Sequence, residues 1–298
     1  MAKTSFGDEI AKNKRSSLLL AVVVSLILFF LVYFIIFFLV PELVLVALPL
    51  SIFFILVYTY SSYRFGDSVV LSVTNAKPAD EREYQYLRDT VEGLSIASGI
   101  PQPKVYVIES DDLNAFATGR NPENASIAVT TGLIRSLNRQ ELEGVIAHEI
   151  SHIKNRDILF MTLVAVLVGL AAIVSHLILR SLWFGGRRDR RDRGGIMLLL
   201  LVVGIILAIF APIVVRLVQF AISRKREYLA DASGVGVTRY PEGLASALEK
   251  IAITNRGKIN VSEALSHLFF VDPKKSSLDS LFATHPPIEE RIRRLRAM

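Results

Sequence analysis

The chain contains no cysteine, and this absence excludes two classes of protein. A disulfide-stabilised scaffold and a zinc site with thiolate ligands both require Cys. The sequence also lacks internal repeats and shows no glycine pattern of the kind that binds nucleotides. Hydrophobic residues, by contrast, make up 52% of the 298 positions. A chain this apolar can offset its ordering entropy by burial, so intrinsic disorder is excluded as well.

The hydrophobic residues are concentrated in four blocks without a charged side chain, each 20 to 24 residues long. These blocks are Ser17–Val40, Leu43–Tyr63, Ile158–Leu179 and Ile196–Val215. A helix needs about 20 apolar residues to cross a bilayer, so each block is long enough to span. The net charge of +6 would permit nucleic-acid binding, but this hydrophobicity indicates membrane lipid instead. We therefore expect no nucleic-acid partner.

Basic residues beside the blocks predict the orientation. Lys12, Lys14 and Arg15 precede the first block, whereas the turn at Pro41–Glu42 has no basic residue, so the N-terminus is expected in the cytoplasm. The connection Arg180–Gly195 holds six arginines against two aspartates, although two full spans would place it outside. Either the second hairpin violates the rule or it is shallow or re-entrant. In both cases residues 64–157 and 216–298 lie on the cytoplasmic side.

These two segments predict one α+β domain that is interrupted by a membrane hairpin. Short β-like runs occur at Lys104–Glu109 and Ala125–Thr131, with turn residues at Gly119–Asn124 between them. Helical patterns cover Glu83–Ile96, the stretch that begins at the cap Asn138, Pro241–Thr254 and Ile288–Leu295. The predicted divisions are a hairpin at 1–63, the first part of the domain at 64–157, a second transmembrane or re-entrant hairpin at 158–215, and the second part of the domain at 216–298.

The chemistry-bearing motif is His148-Glu149-Ile150-Ser151-His152. Residues four apart share one face of a helix, so both imidazoles can reach one metal ion. Glu149 lies beside them, where its carboxylate could take a proton from an activated water. Neutral imidazole suits zinc, which lowers the pKa of bound water to about 7. The motif therefore predicts a zinc hydrolase with one Zn²⁺ per chain and Glu149 as general base.

A catalytic zinc needs a third protein ligand and one open position. The extended spacing His-x-x-Gly-x-x-His is absent, since Asn155 and Ile158 stand where Gly and His would be. Glu227 is the best candidate for the third ligand, with His285 and His267 as rivals. One helical turn after Glu227, Asp231 is suitably placed to hold a ligand histidine through its second ring nitrogen.

The motifs, in their order and spacing, resemble the HtpX family of membrane zinc metalloproteases, which are relatives of the type-1 CaaX prenyl proteases. The resemblance rests on the paired N-terminal blocks, Asn114–Gly119, the His-Glu-x-x-His motif, the second hairpin, the Glu227 segment, and Thr284–Arg291. It implies a multi-pass α-helical membrane protein with a cytoplasmic zincin-like (gluzincin) catalytic domain. It also implies an enzyme of the cell membrane that cleaves misfolded or damaged membrane proteins.

The resemblance assigns roles to particular residues. His148, His152 and Glu227 would be the zinc ligands, with Glu149 as the base. Asn114, Ala115, Phe116 and Ala117 resemble the strand that lines the family's substrate cleft. His285 resembles a histidine that could stabilise the oxyanion of the tetrahedral intermediate.

Three other functions stay open at the level of sequence. A CaaX-type prenyl-protein endopeptidase typically has more than four spans, and a transporter would carry charges within its spans. A structural zinc scaffold usually fills all four metal positions with protein ligands. The sequence leaves open the substrates, the oligomeric state (a homo-oligomer is one option), the regulation, and whether Arg291 is more than an internal ion-pair partner.

Overall fold

A computed structural model of the chain describes residues 44–163, 224–254 and 286–298, together with residue 166 and scattered positions between 15 and 42. The helices of these ranges are α1 (Val44–Val73), α2 (Gln85–Ser98), α3 (Thr131–Ser136), α4 (Arg139–Lys154), α5 (Arg224–Thr238), α6 (Pro241–Thr254) and α7 (Ile288–Leu295). The strands are β1 (Lys77–Pro78), β2 (Lys104–Ile108), β3 (Ala115–Asn121) and β4 (Asn124–Thr130). Residues 158–163 are also helical. The helices predicted over Pro241–Thr254 and Ile288–Leu295 are confirmed as α6 and α7.

The four strands form one mixed sheet in the order β1-β2-β4-β3. β2 and β4 are parallel, with Val105 beside Ile127, whereas β3 and β4 form an antiparallel hairpin. Side chains alternate between the two faces of the hairpin: Ala117 and Ile127 join the main core, while Phe116 packs with Val70 of α1. Because helices cover both faces, β3 and β4 are almost entirely buried.

The start of α4 is set by a capping box at Asn138, the residue that the sequence predicts as the cap. The Asn138 side-chain oxygen accepts from the Glu141 N–H at 3.0 Å, and the Glu141 carboxylate accepts from the Asn138 N–H at 2.8 Å. Lys250 of α6 donates to the same carboxylate at 2.7 Å. The first turn of α4 is therefore fixed both to its own cap and to a neighbouring helix.

α4 lies at the centre of the domain, in contact with α2, α5, α6 and β3. Two glycines bring its neighbours unusually close. A Cβ on Gly144 would lie 2.7 Å from the Leu244 nitrogen of α6, and a Cβ on Gly234 of α5 would lie 3.1 Å from the His148 nitrogen. The backbone of α5 thus lies directly against the helix that carries the His-Glu-x-x-His motif.

The helix α1 contains most of the second hydrophobic block. Among the helices of the described residues, none is both long and apolar enough to cross a membrane. The block Ser17–Val40 falls mostly outside the described positions, as do Ile158–Leu179 and all of Ile196–Val215. The division of the chain into two membrane hairpins and a split domain stays a prediction.

The close approach of α4 and α6 makes a testable difference between two helical glycines. We expect Gly144→Ala to lower the free energy of unfolding by about 1–3 kcal/mol, because the new methyl group collides with the α6 backbone. Gly93→Ala in α2 is the matched control, since a Cβ there has nothing within 4 Å. It should raise stability by about 0.5–1 kcal/mol through better helix propensity. Denaturant unfolding of both variants measures this, and equal effects would contradict the packing described.

Candidate active site

Three side chains from two helices converge on one point. The Nε2 atoms of His148 and His152 in α4 lie 3.1 Å apart. The carboxylate oxygens of Glu227 in α5 lie 3.7 Å from the first and 3.5 Å from the second. One ligand atom from each residue fits within 4.8 Å of the others, and all three side chains are buried. His148, His152 and Glu227 could therefore hold a metal ion.

The donor set and its spacing fit zinc. Zinc bonds to imidazole nitrogen and carboxylate oxygen are about 2.1 Å long, so neighbouring ligands of a tetrahedral ion lie about 3.4 Å apart. The three observed separations of 3.1, 3.5 and 3.7 Å lie around this value. Two imidazoles and one carboxylate are also a ligand set of catalytic rather than structural zinc, because they leave a fourth position for water or substrate.

Each histidine is oriented through its second ring nitrogen. His148 Nδ1 lies 2.9 Å from an Asp231 carboxylate oxygen, and His152 Nδ1 lies 3.1 Å from an Asp157 carboxylate oxygen. A carboxylate on Nδ1 places the ring proton there and leaves the Nε2 lone pair for a metal. In their neutral forms both rings would therefore present the Nε2 lone pairs that a metal ligand requires toward Glu227.

The two histidines differ in their affinity for a proton. Burial lowers the pKa of His148 to about 4, although Asp231 acts in the opposite direction. Burial also disfavours protonation of His152, but the hydrogen bond to Asp157 and the charge of Glu227 outweigh it, and its pKa rises to about 9. Because metals bind neutral imidazole, metal binding at His152 releases a proton.

Glu149 lies between the two histidines in sequence and is itself buried. Burial raises the pKa of its carboxyl to about 7, against the opposing effect of the nearby His152 ring. The backbone amide of Ala117 in β3 lies near this carboxylate and acts to lower its pKa. A carboxyl group with a pKa near neutrality can both accept and return a proton at physiological pH.

Arg291 is completely buried behind the metal-binding side chains. It binds Asp231 in a two-pronged pair, with Nη2 at 2.6 Å from one oxygen and Nε at 2.9 Å from the other. Its Nη1 lies 3.6 Å from Glu227. Burial opposes the charge on this guanidinium, but Asp231 and Glu227 outweigh that effect and raise its pKa. Burial acts to raise the pKa of Asp231, but the charge of Arg291 and the hydrogen bond with His148 outweigh it and lower that pKa to about 2.

Asp157 and Arg226 belong to the site although the sequence does not predict them there. Asp157 is fully buried, and Arg226 Nε lies 3.7 Å from its second oxygen while the guanidinium stacks on the ring of Phe160. Asp157 follows the end of α4, where Arg156 has a φ of 59° and turns the chain back toward His152. That reversal cannot be deduced from residue spacing on a continuous helix. The deep burial of Arg291 did have a signal, because Ile288, Arg291 and Leu295 lie on one helical face.

The remaining predicted residues fall into two groups. Asn114 lies just before β3, and Ala115, Phe116 and Ala117 lie in it, so the structure brings this strand beside Glu149. The side-chain oxygen of Asn114 accepts from the Ala115 N–H at 2.8 Å. His285 and His267 lie outside the described residues, so the predicted oxyanion role of His285 stays a prediction.

Comparisons with known proteins agree with this geometry. The family model described as peptidase family M48 matches residues 81–298. A protein named "Protease HtpX homolog" from Thermoanaerobacter pseudethanolicus is 49% identical over 258 residues, which cover 85% of each chain. A protein of the same name from Dictyoglomus thermophilum is 43% identical and covers all of this chain and 96% of its own. The chain belongs to the HtpX proteases of peptidase family M48. It is therefore a metalloprotease, a hydrolase of peptide bonds.

A third relative carries the same name. The "Protease HtpX homolog" of Pyrococcus furiosus is 50% identical, with 80% of this chain and 81% of its own covered. A solved structure entitled "Crystal Structure of S. mikatae Ste24p" is 21% identical, with a TM-score of 0.49. The match covers 82% of this chain and 57% of that one.

The geometry around His152 predicts the effect of losing Asp157 from this HtpX protease. We expect Asp157→Ala to weaken zinc binding by about 10- to 100-fold, because the ring of His152 loses the partner that orients it. Asp157→Asn keeps a hydrogen-bond acceptor and should lose less. Asp111→Ala is the control, since Asp111 is exposed and lies far from the motif in sequence. Competition with a chromophoric chelator measures the affinity, and an unchanged value for Asp157→Ala would contradict this role.

Proposed function

We propose that this protease is a membrane-bound zinc endopeptidase that cleaves misfolded or damaged membrane proteins from the cytoplasmic side of the cell membrane. The observation that carries the proposal is the convergence of His148, His152 and Glu227 beside Glu149 and next to the strand β3. A metal site, a base and a strand edge beside them are the parts that a zinc peptidase can use to hold a peptide and hydrolyse it.

In the proposed mechanism, His148, His152 and Glu227 hold one zinc ion. When bound, zinc polarises a substrate carbonyl and lowers the pKa of a water molecule. Glu149 accepts the proton of that water as the oxygen attacks the carbonyl carbon, and then returns the proton to the leaving nitrogen. Asp231 and Asp157 keep the imidazoles in the required tautomer throughout. His285 is proposed to donate to the oxyanion.

Substrate binding is proposed to use main-chain pairing with β3. A peptide strand that adds to a sheet edge gains affinity from backbone hydrogen bonds and makes little demand on side-chain identity. An extended, unfolded segment can pair in this way, whereas a folded one has its backbone groups already occupied. This supports a preference for misfolded proteins over folded ones.

The surface of α1 supports association with membrane lipid. Its first turns expose large apolar side chains, among them Leu45, Val46, Leu48, Ile52, Phe53, Phe54, Leu56 and Val57. Contiguous exposed apolar surface on this scale is typical of protein or membrane interaction sites. Tyr60 and Tyr63 follow, beside Arg64, and this succession of apolar, aromatic and basic residues is typical of a membrane–water interface.

Replacing the base is the direct test of the enzymatic part of the proposal. We expect Glu149→Gln to retain zinc and to reduce cleavage of an unfolded protein such as casein by at least about 100-fold. The protein is purified in detergent with a chelator and then loaded with zinc. Zinc content and casein cleavage are measured on the same sample.

Glu143→Gln is the matched control, because it makes the same substitution on the solvent-facing side of α4. It should keep both zinc and activity, whereas Glu227→Ala should lose both. Loss of zinc from Glu149→Gln would make Glu149 a ligand. Tight zinc binding without casein cleavage by the parent would contradict the general endopeptidase.

The absence of cysteine makes the proposed orientation directly measurable. We expect Glu123→Cys, at the exposed turn between β3 and β4, to react with an impermeant maleimide only after the cells are opened. Glu42→Cys should react in intact cells, because the positive-inside rule places the Pro41–Glu42 turn outside. The cysteine-free parent gives the background. Labelling with the opposite sidedness would overturn the cytoplasmic assignment.

A further inference from the structure

The free edge of β3 is defined by which backbone groups point away from β4. The C=O of Asn114 accepts from the Thr130 N–H at 3.0 Å, so Asn114 faces β4. Backbone groups alternate in direction along an antiparallel strand. The N–H and C=O groups of Ala115, Ala117 and Gly119 therefore point outward. In the part of the chain that the structure describes, no further strand pairs with this edge.

At Gly119 a side chain takes the place of a partner strand. The Gly119 N–H donates to Thr162 Oγ1 at 3.1 Å, and the same hydroxyl donates to the Gly119 carbonyl at 3.3 Å. Thr118 Oγ1 lies 2.8 Å from it as well. In an antiparallel ladder, one residue of the partner strand would exchange this same pair of bonds. The Thr162 hydroxyl thus occupies the pairing position with its donor and acceptor capacity fully used.

The backbone also stops being regular at this point. Gly119 has a φ of 143°, and a Cβ there would lie 2.3 Å from the Asn124 carbonyl oxygen. The register between β3 and β4 shifts between Gly119 and Asn121. Thr162 is itself buried, in the helical stretch 158–163 that follows Asp157. The pairing edge is therefore closed at one end by a feature built into the fold.

The closed end is very near the catalytic position. Ala117, the next outward-facing residue, lies close enough to Glu149 for its backbone amide to lower the pKa of that carboxyl, and β3 contacts α4. Two residues of strand correspond to about 7 Å. A peptide bound at Ala117 thus meets Thr162 within one pairing step on that side. On the other side the Ala115 N–H is bonded to Asn114 Oδ1 at 2.8 Å, and the outward-facing Ala115 carbonyl is the group left for pairing.

We propose that Thr162 is a specificity-determining residue that ends the substrate-pairing edge at Gly119. Substrate residues on the Gly119 side of the cleaved bond gain no main-chain pairing with β3, and binding depends on residues on the Ala115 side. This inference rests on the proposed function, in which β3 binds the peptide.

The test uses quenched fluorescent peptides with one common central sequence, extended by four residues at either end. For the zinc-loaded parent in detergent, extension at one end should raise kcat/KM, and extension at the other should change it less than about twofold. Thr162→Ala removes the hydroxyl and the methyl group. In this variant the second extension should raise kcat/KM by about five- to tenfold, which is the effect of one or two added main-chain hydrogen bonds.

Thr162→Ser is the matched control, because it retains the hydroxyl and should behave like the parent. Equal benefit from both extensions in the parent, or from neither, would overturn the role of Thr162. A uniform loss of activity in Thr162→Ala, with a lower Tm and no new length dependence, would also overturn it in favour of a structural role. Absence of any peptide cleavage by the zinc-loaded parent would instead count against the proposed function itself.

Discussion

The hydrogen bonds from two buried carboxylates to the outer nitrogens of His148 and His152 are the interactions on which the rest of the site depends. Asp231 comes from α5 and Asp157 from the turn after α4, so each ring is held by a different part of the chain. Four carboxylates, including Glu149 and Glu227, are buried together there. Arg291 and the partly exposed Arg226 pair with two of them, and a divalent cation bound to neutral imidazoles would add further positive charge.

The close packing of α4 with its neighbours is what makes this concentration of charge tolerable. Buried ionised groups are stable only when their partners are held in good geometry. Gly144 and Gly234 let α6 and α5 approach α4 at backbone distance. The carboxylates of α5 are consequently delivered to fixed positions on the histidine-bearing face, where a bulkier residue at Gly234 would separate the two helices and their charges.

How far the sequence predicts this molecule differs from element to element. The helical pattern of the sequence predicts the full extent of α6 and α7 and the cap at Asn138, because these features depend on local spacing and local hydrogen bonds. β3 did not emerge from periodicity, because Ala115–Ala117 are apolar on both faces and lack the alternation of a half-buried strand. The position of Asp157 depends on a chain reversal after His152, which no helical spacing contains. Helical spacing predicts the two histidine ligands, whereas tertiary packing brings the carboxylates that orient their rings into place.

The side chains of the site come from parts of the chain that are far apart in sequence, and this has a consequence for biosynthesis. Glu227 follows His152 by 75 residues, and Arg291 follows Glu227 by another 64. A ribosome that has translated only the histidine helix has made a chain with two of the three side chains that converge in the finished protein. The nascent chain therefore has an incomplete metal site while α4 emerges, and α5 must be synthesised and docked before hydrolysis can begin. This order of synthesis delays proteolytic competence until most of the domain exists.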